Sequence, residues 1–233
     1  MTPLRRTALV AGACYLLTFA SSIPALALHG SVLDNPDFIL GTGSETRVIW
    51  GSLLDLINAV AAIATAVVLF PVLKRQHEGV ALGFVTSRLL EAAIIFTGVA
   101  AMLATVTMRQ DAPESDVDPA ALQTIGQTLD AYHDWTFLLG PGLIPGINAL
   151  LLGYLMYQSR LVPRAIPTLG LIGAPILLAS AMATMFGVYD QVSTAATLAA
   201  LPVAAWEFSV GCWMLFVGFL PSPITAPVPS RTP

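Results

Sequence analysis

Six polar side chains stand inside stretches that are otherwise apolar: Asp55, Asn58, Arg88, Glu91, Asn148 and Glu207. A charged group at the centre of a bilayer costs roughly 2.5–3.5 kcal/mol on the insertion scale, so each needs a partner or a wet cavity. Arg88 and Glu91 are three residues apart, which on a helix puts them on one face as an ion pair. Asp55 and Asn58 repeat that spacing, Asn148 adds an amide, and Glu207 stands beside Trp206. Gly211 falls one turn from Glu207 on the same face, which aims the carboxylate at neighbouring helices rather than lipid. One arginine cannot neutralise three carboxylates. At least one of Asp55, Glu91 and Glu207 is therefore expected to carry its proton near neutral pH, because burial disfavours the charged form. Glu207 is the foremost candidate, having no basic residue within a helical turn. Three roles fit such a set: glue between helices, a proton or ion path, and an acid–base site. Two carboxylates with an arginine do not choose among them.

A second feature is the run Gly140-Pro141-Gly142-Leu143-Ile144-Pro145-Gly146-Ile147-Asn148. Two prolines four residues apart remove two backbone donors and free upstream carbonyls. That describes an ordinary kink, and equally a broken helix lining a substrate site. Other chemistries find no support. No nucleophile–histidine pair lies in the apolar stretches, and His133 sits at a boundary, so serine- or metal-type hydrolysis is not expected. Cys14 and Cys212 read as buried small hydrophobes without metal-ligand spacing. The expected cofactor and metal complement is none.

The elements that must hold these residues follow from composition. Of 233 residues, 56% are hydrophobic and 10% charged, against about 25% charged in soluble domains. Mean hydropathy is +0.78. Six segments are long enough for a ~30 Å hydrocarbon core: 8–28, 50–70, 83–106, 135–157, 168–188 and 198–220. They are rich in Ala and Leu and lack two-residue alternation, so they read as helices rather than strands. At 1.5 Å per residue, Glu91 lies about 12 Å into segment three from its start, Asn58 about 12 Å into segment two, and Glu207 about 14 Å into segment six.

Arg5, Arg6, Lys74, Arg75, Arg160, Arg164 and Arg231 fall on one side of this arrangement, with Arg47 and Arg109 opposite. Lysine and arginine mark the cytoplasmic face, so both termini are expected inside. Asp34, Asp37, Glu45, Asp111, Glu114, Asp116, Asp118, Asp130, Asp134 and Asp190 gather outside. An alternative is that Arg5-Arg6, the first apolar run and Ala25-Leu26-Ala27 form a cleaved signal peptide; the run has the length of a full span, which favours a retained helix. The long outer loop contains Asp118-Pro119, an N-cap followed by proline at the first helical position. Leu122, Ile125, Leu129 and Tyr132 then share a face, so a short amphipathic helix is expected, lying on the outer membrane surface or capping the bundle. Trp50 and Trp135 suit interfacial anchors. Residues 221–233 are Pro-rich and read as a disordered tail, which leaves 1–220 as one transmembrane domain.

Several blocks resemble a recurring pattern of an uncharacterised prokaryotic membrane family, domain of unknown function 4386. They are His133-Asp134-Trp135, Gly153-Tyr154-Leu155, Ser159-Arg160-Leu161-Val162-Pro163-Arg164, Leu169-Gly170-Leu171-Ile172-Gly173 and Glu207-Phe208-Ser209-Val210-Gly211-Cys212-Trp213 with Gly218-Phe219. Arg88-Leu89-Leu90-Glu91 is similar as well, and the likeness runs from the first segment to about Phe219. The resemblance implies a multi-helix membrane protein and brings no activity, substrate or catalytic residue.

The expectation is thus an all-α, multi-pass protein of the cell (cytoplasmic) membrane, either a small transporter or an accessory subunit with a buried Arg/Glu cluster. The alternative is an intramembrane enzyme acting on a lipid or isoprenoid with a protonated carboxylate as general acid. Partners expected are the bilayer, other membrane proteins or a small apolar ligand. The net charge of −4 and the absence of a basic patch leave no place for nucleic acid. Segments two, three, four and six should form a polar inner seam, with one and five as apolar support.

Overall fold

The computed structural model describes residues 1–33, 35–114 and 117–226. The expectations concerning Asp34, Asp116, Arg231 and the prolines from Pro227 onward lie outside these described residues. Helices α1 (Pro3–Leu33), α2 (Glu45–Asp111), α3 (Pro119–Phe137), α4 (Ile144–Ser159), α5 (Ala165–Met185) and α6 (Thr194–Phe216) make up the chain, with a π-helical turn at Leu138–Leu143 joining α3 to α4. No strand occurs among the described residues. Five helical stretches are long and apolar enough to cross a membrane: Pro3–Gly30, Glu45–Asp111, Pro119–Ser159, Ala165–Met185 and Thr194–Phe216. The chain is an all-helical, multi-pass membrane protein.

Helix α2 has 67 residues, about 100 Å if it were straight, over three times the hydrocarbon thickness. It is not straight. The polar run from Lys74 to Gly79 interrupts the apolar sequence, and His77 leaves helical geometry (φ −161°, ψ 105°). The His77 Nδ1 accepts the Val80 N–H (3.2 Å) and so caps the following arm. Arms 45–76 and 78–111 fold back on each other through Ala59, Ala92, Ile95 and Val99, and Glu45 meets Arg109 and Gln110 at the far end. Segments two and three are these arms.

Helices α5 and α6 each begin and end about a turn earlier than the apolar runs suggest, because capping rather than hydropathy sets their ends. Gly187 (φ +72°) terminates α5, its N–H reaching the Thr184 carbonyl (2.9 Å) while Val188 N–H reaches Ala183 (3.0 Å). Ser193 starts α6 by accepting the Ala196 N–H (3.2 Å), and Gly218 (φ +93°) turns the chain away after it. Gly218 thus takes a left-handed turn, and a Cβ there would stand 3.1 Å from Arg5 Cδ.

Helix α1 is woven into the bundle. A Cβ on Gly12 would lie 2.6 Å from the Gly211 carbonyl oxygen, so these two glycines set the α1–α6 contact distance. Arg5 donates to the carbonyls of Met214 (3.0 Å), Leu215 (2.8 Å) and Phe216 (3.2 Å), satisfying the orphan acceptors at the end of α6. Nearby, Leu220 N–H bonds the Leu161 carbonyl (2.9 Å), Ser222 bonds the Ser159 carbonyl, and Arg75 reaches the Ile224 carbonyl (3.4 Å). The start of α1, the bend of α2, the α4–α5 loop and the segment after α6 therefore share one end of the bundle. At the other end Arg109 clamps the α1–α2 loop. It donates to the carbonyls of Phe38, Gly41, Thr42 and Gly43, pairs with Glu45 (3.0 Å) and lies over the Phe38 ring.

Asp118 and Pro119 start α3, with the Asp118 carboxylate accepting the Ala120 N–H (3.5 Å). Only part of the expected apolar face packs on the protein. Leu122, Gly126 and His133 are buried, whereas Ile125 and Tyr132 are exposed. The helix also runs on into α4 instead of standing apart, and Gln123 holds it to Asp37 of the α1–α2 loop (2.8 Å). Cys14 and Cys212 are free and half-buried, not buried as composition suggested.

Apolar cores occupy both ends. The larger contains Leu69, Leu73, Leu152, Leu155, Met156 and Met214; the smaller contains Val32, Phe38, Val48, Met102 and Val106. Order along α1 shows what lies between them: Tyr15 belongs to the first core and Val32 to the second. The intervening turns carry Thr18, Ser22 and Leu26, which line cavities.

Candidate functional site

Arg88 is the hub of the polar layer. Its position one turn before Glu91 lets Nη1 donate to Glu91 Oε2 (3.1 Å), the intrahelical pair read from spacing. Its Nη2 donates to Glu207 Oε1 of α6 (2.6 Å). Asn148 of α4 donates its amide to Glu91 Oε2 (2.7 Å). The guanidinium carbon also lies 5.2 Å from the ring centre of Tyr15 of α1 and 5.8 Å from that of Phe84, within reach of two cation–π contacts. Arg88 is 3% exposed by side chain, Glu91 7% and Glu207 15%. Arg88, Glu91, Asn148 and Glu207 thus converge from α2, α4 and α6. This changes one expectation: Glu207 has no basic neighbour along its helix, yet folding brings Arg88 onto it, so isolation no longer singles it out as the protonated member.

Asp55 does not join this network. It pairs with His29 of α1 (Nε2 to Oδ2, 2.9 Å), forming a second cluster nearer the other end. The His29 ring lies 5.5 Å from that of His133, and His133 stacks on Phe137 (6.3 Å between ring centres). Both histidines are buried and both leave Nδ1 without a hydrogen-bond partner. Glycines make the room. A Cβ at Gly51 would stand 2.8 Å from His29 Cε1, and one at Gly98 would stand 2.6 Å from Thr136 Oγ1 and 3.6 Å from His133 Cδ2. Glycine within a helix costs about 1 kcal/mol relative to alanine, and here it is spent on seating an imidazole and a hydroxyl. Asn58 lines the cavities on both sides and so stands between the clusters.

His29 and Tyr15 are the residues sequence reasoning passed over, and His133, set aside there as a boundary residue, is buried beside His29. Helix α1 is therefore not mere apolar support, since it supplies His29 and Tyr15. Helix α5 contributes Ser180, which accepts the Tyr189 hydroxyl (2.8 Å). His29 falls one residue past the expected end of segment one, which hid it. An aromatic scan for faces able to cover Arg88 would have raised Tyr15.

Above the Arg88 network lies a cavity of about 360 Å³. Arg88, Glu91 and Glu207 line it, as do Thr18 and Ser22 of α1 and Ser180 of α5. Pro141 and Gly142 of the π-helical turn form one wall with the flanking Phe137 of α3 and Pro145 of α4. Pro141 cannot donate to residue 137 nor Pro145 to Pro141, so the ladder slips into a π turn and the helix opens where the cavity needs width. The amide of Gln191, oriented to donate to the Asp134 carbonyl (3.2 Å) and accept from Leu138 N–H (2.8 Å), ties the α5–α6 loop to this turn. A smaller chamber of about 50 Å³ adjoins it, sharing Ser22, Leu26, Asn58, Phe137 and Pro141 and reaching His29, Asp55 and His133. On the side of the larger core, Tyr15, Phe84 and Leu152 close the interior. Among the described residues no group of three or more His, Cys, Asp or Glu is set to hold a metal ion.

Just before segment four, Asp130 of α3 is half-buried beside Asp134. Loss of solvent and repulsion from Asp134, partly offset by His133, push its carboxyl up to about 6.

The family described as Domain of unknown function (DUF4386) matches residues 10–218. The chain belongs to that family. No curated protein and no solved structure gives a significant match.

Proposed function

We propose that this member of the DUF4386 family is a small transporter of the cell membrane, in which the 360 Å³ cavity holds the solute and the Arg88/Glu91/Glu207 network relays protons. The observation that carries the reading is that the cavity ends on the network instead of being filled at that depth. A purely structural ion cluster has no need of a cavity at its edge, and buried polar glue is commonly packed over. The π-helical turn at Leu138–Leu143 supports the same reading, since it widens the helix where Leu138, Pro141 and Gly142 line the cavity, and such turns recur at functional sites.

In this reading the chain crosses the bilayer six times, the two arms of α2 counting separately, with both termini in the cytoplasm. The gathering of Arg5, Arg6, Lys74, Arg75, Arg160 and Arg164 around the end shared by α1, the α2 bend and the α4–α5 loop supports that orientation. The part of α3 before Trp135 then lies at the outer surface. The larger core closes the cavity on the cytoplasmic side, while Gln191 and the exposed Val192 of the α5–α6 loop line its other side, which supports an outward-facing conformation.

The protein reconstituted in liposomes with an entrapped pH-sensitive dye provides the test. Proton movement above that of empty liposomes is expected, falling to background in Glu207→Gln. Flux unchanged by that substitution refutes the relay.

An intramembrane enzyme acting on a lipid or isoprenoid is the second reading, favoured by the apolar walls contributed by Phe19, Leu26, Leu177 and Val203. It needs a carboxylic acid free to donate, whereas Glu91 and Glu207 both accept from Arg88. Turnover of a membrane lipid by the purified protein would favour it over transport.

A further inference from the structure

We propose that the cavity takes a small organic cation with an apolar body, an amine or quaternary ammonium, in preference to an anion. This rests on the reading of the cavity as a solute site and names the class of solute. Two carboxylates, Glu91 and Glu207, face one guanidinium, and among the described residues no other Lys, Arg or His lines the cavity. The guanidinium is also the least available member. Its Nη1 and Nη2 are committed to Glu91 and Glu207, the Tyr15 and Phe84 rings lie close to it, and it is 3% exposed against 15% for Glu207. An entering ligand therefore meets a carboxylate.

An anion would have to take Arg88 from a carboxylate and leave that carboxylate buried and unpaired, the costliest outcome for an ion cluster. A cation does the opposite. It settles against Glu207 while Arg88 keeps Glu91, and the excess negative charge of the network falls. The walls suit such a guest. Phe19 and Phe137 offer aromatic faces to a cationic head. Hydroxyls of Thr18, Ser22 and Thr197 and the Asn58 amide offer oxygens to an ammonium that carries N–H groups. The cavity, at about 360 Å³, falls within the ~300–1,000 Å³ of small-molecule sites.

The test is calorimetric titration of the full chain in nanodiscs, with empty nanodiscs subtracted. Three ligands of similar shape are compared: benzyltrimethylammonium, its neutral carbon isostere neopentylbenzene, and benzenesulfonate. The cation is expected to bind at least about tenfold more tightly than either other ligand, a difference of roughly 1.4 kcal/mol. Glu207→Gln should erase that preference. Glu207→Asp, which keeps the charge, should retain part of it, and this second variant guards against Gln failing through misfolding. Glu78→Gln, in the α2 bend, should match wild type. Benzenesulfonate binding tightest, or the neutral isostere equalling the cation, overturns the cation assignment while leaving a solute cavity in place. Absence of binding by all three overturns the cation assignment and the solute reading together.

Discussion

Replacing Arg88 by methionine separates an ion network that holds the bundle from one that merely sits in it. The substitution keeps most of the side-chain volume and removes both carboxylate bonds (3.1 and 2.6 Å) and the contacts with Tyr15 and Phe84. Two magnitudes compete. If the bonds count only as ordinary interhelical hydrogen bonds at about 0.6 kcal/mol each, the loss is roughly 1.2 kcal/mol. If the loss strands two buried carboxylates, the cost is about 3–5 kcal/mol. At about 2–4 °C per kcal/mol for a chain of this size, these correspond to roughly 2–5 °C and 6–20 °C. With Glu91 7% and Glu207 15% exposed, the second value is expected. The assay is thermal unfolding in detergent, read by circular dichroism and by loss of monodisperse protein. The companion is the triple variant Arg88→Met, Glu91→Gln, Glu207→Gln, which leaves no stranded charge and keeps a partner for Asn148. It should melt within a few degrees of wild type, because neutral replacement of a whole buried network is near neutral in stability. A single variant melting within about 2 °C of wild type refutes the reasoning.

Three further outcomes follow from the same geometry. Gly51→Ala puts a Cβ 2.8 Å from the His29 ring; it should cost about 1–3 kcal/mol, and His29→Ala should restore most of that, so a double variant no more stable than Gly51→Ala alone sinks the idea. Arg109→Ala removes four carbonyl bonds and the Glu45 pair from the α1–α2 loop. Limited proteolysis should then cut between residues 37 and 43 while the helices stay intact, and an unchanged digestion pattern would contradict the clamp. Asp130 carries a folded-state value of about 6 against 3.8 in its absence. Its contribution to stability is therefore present below about pH 4 and is lost as pH rises through 6. Asp130→Asn should raise the melting temperature at pH 7.5 and leave it unchanged at pH 4; the reverse order would show that the carboxylate is held in its charged form.

Features carried by neighbours in the chain were legible in advance. Arg88 and Glu91 pair because three residues bring side chains onto one helical face whatever surrounds them. Asp118 and Pro119 start a helix for equally local reasons. Pro141 and Pro145 disturb the hydrogen-bond ladder of one because the missing N–H groups belong to those residues alone. The all-helical, membrane-crossing character follows from apolar runs too long and too poor in charge for water. The ends of α5 and α6 were less legible, since hydropathy continues past Gly187 and Gly218 while the backbone does not. Which side of α3 packs on the protein was less legible for a similar reason. Leu122 with Ile125 and Leu122 with Gly126 are both helical spacings, and Ile39 seated against Gly126 favours the second.

Which polar residues meet across helices depended on the rotation and offset of each helix, and no local periodicity contains those. Glu207 looked isolated along α6, yet Arg88 lies against it from 119 positions away. Asp55 looked like a member of the same seam and instead found His29, 26 positions earlier on α1. The glycines at 51 and 98 gained meaning only once the rings and hydroxyl they admit were in place. Sequence alone determined that charges were buried in a membrane and needed partners, because that cost depends on residue type and surrounding hydropathy. Tertiary structure decided who the partners are and that a cavity stands beside them, because close packing between helices is a property of surfaces far apart in the chain.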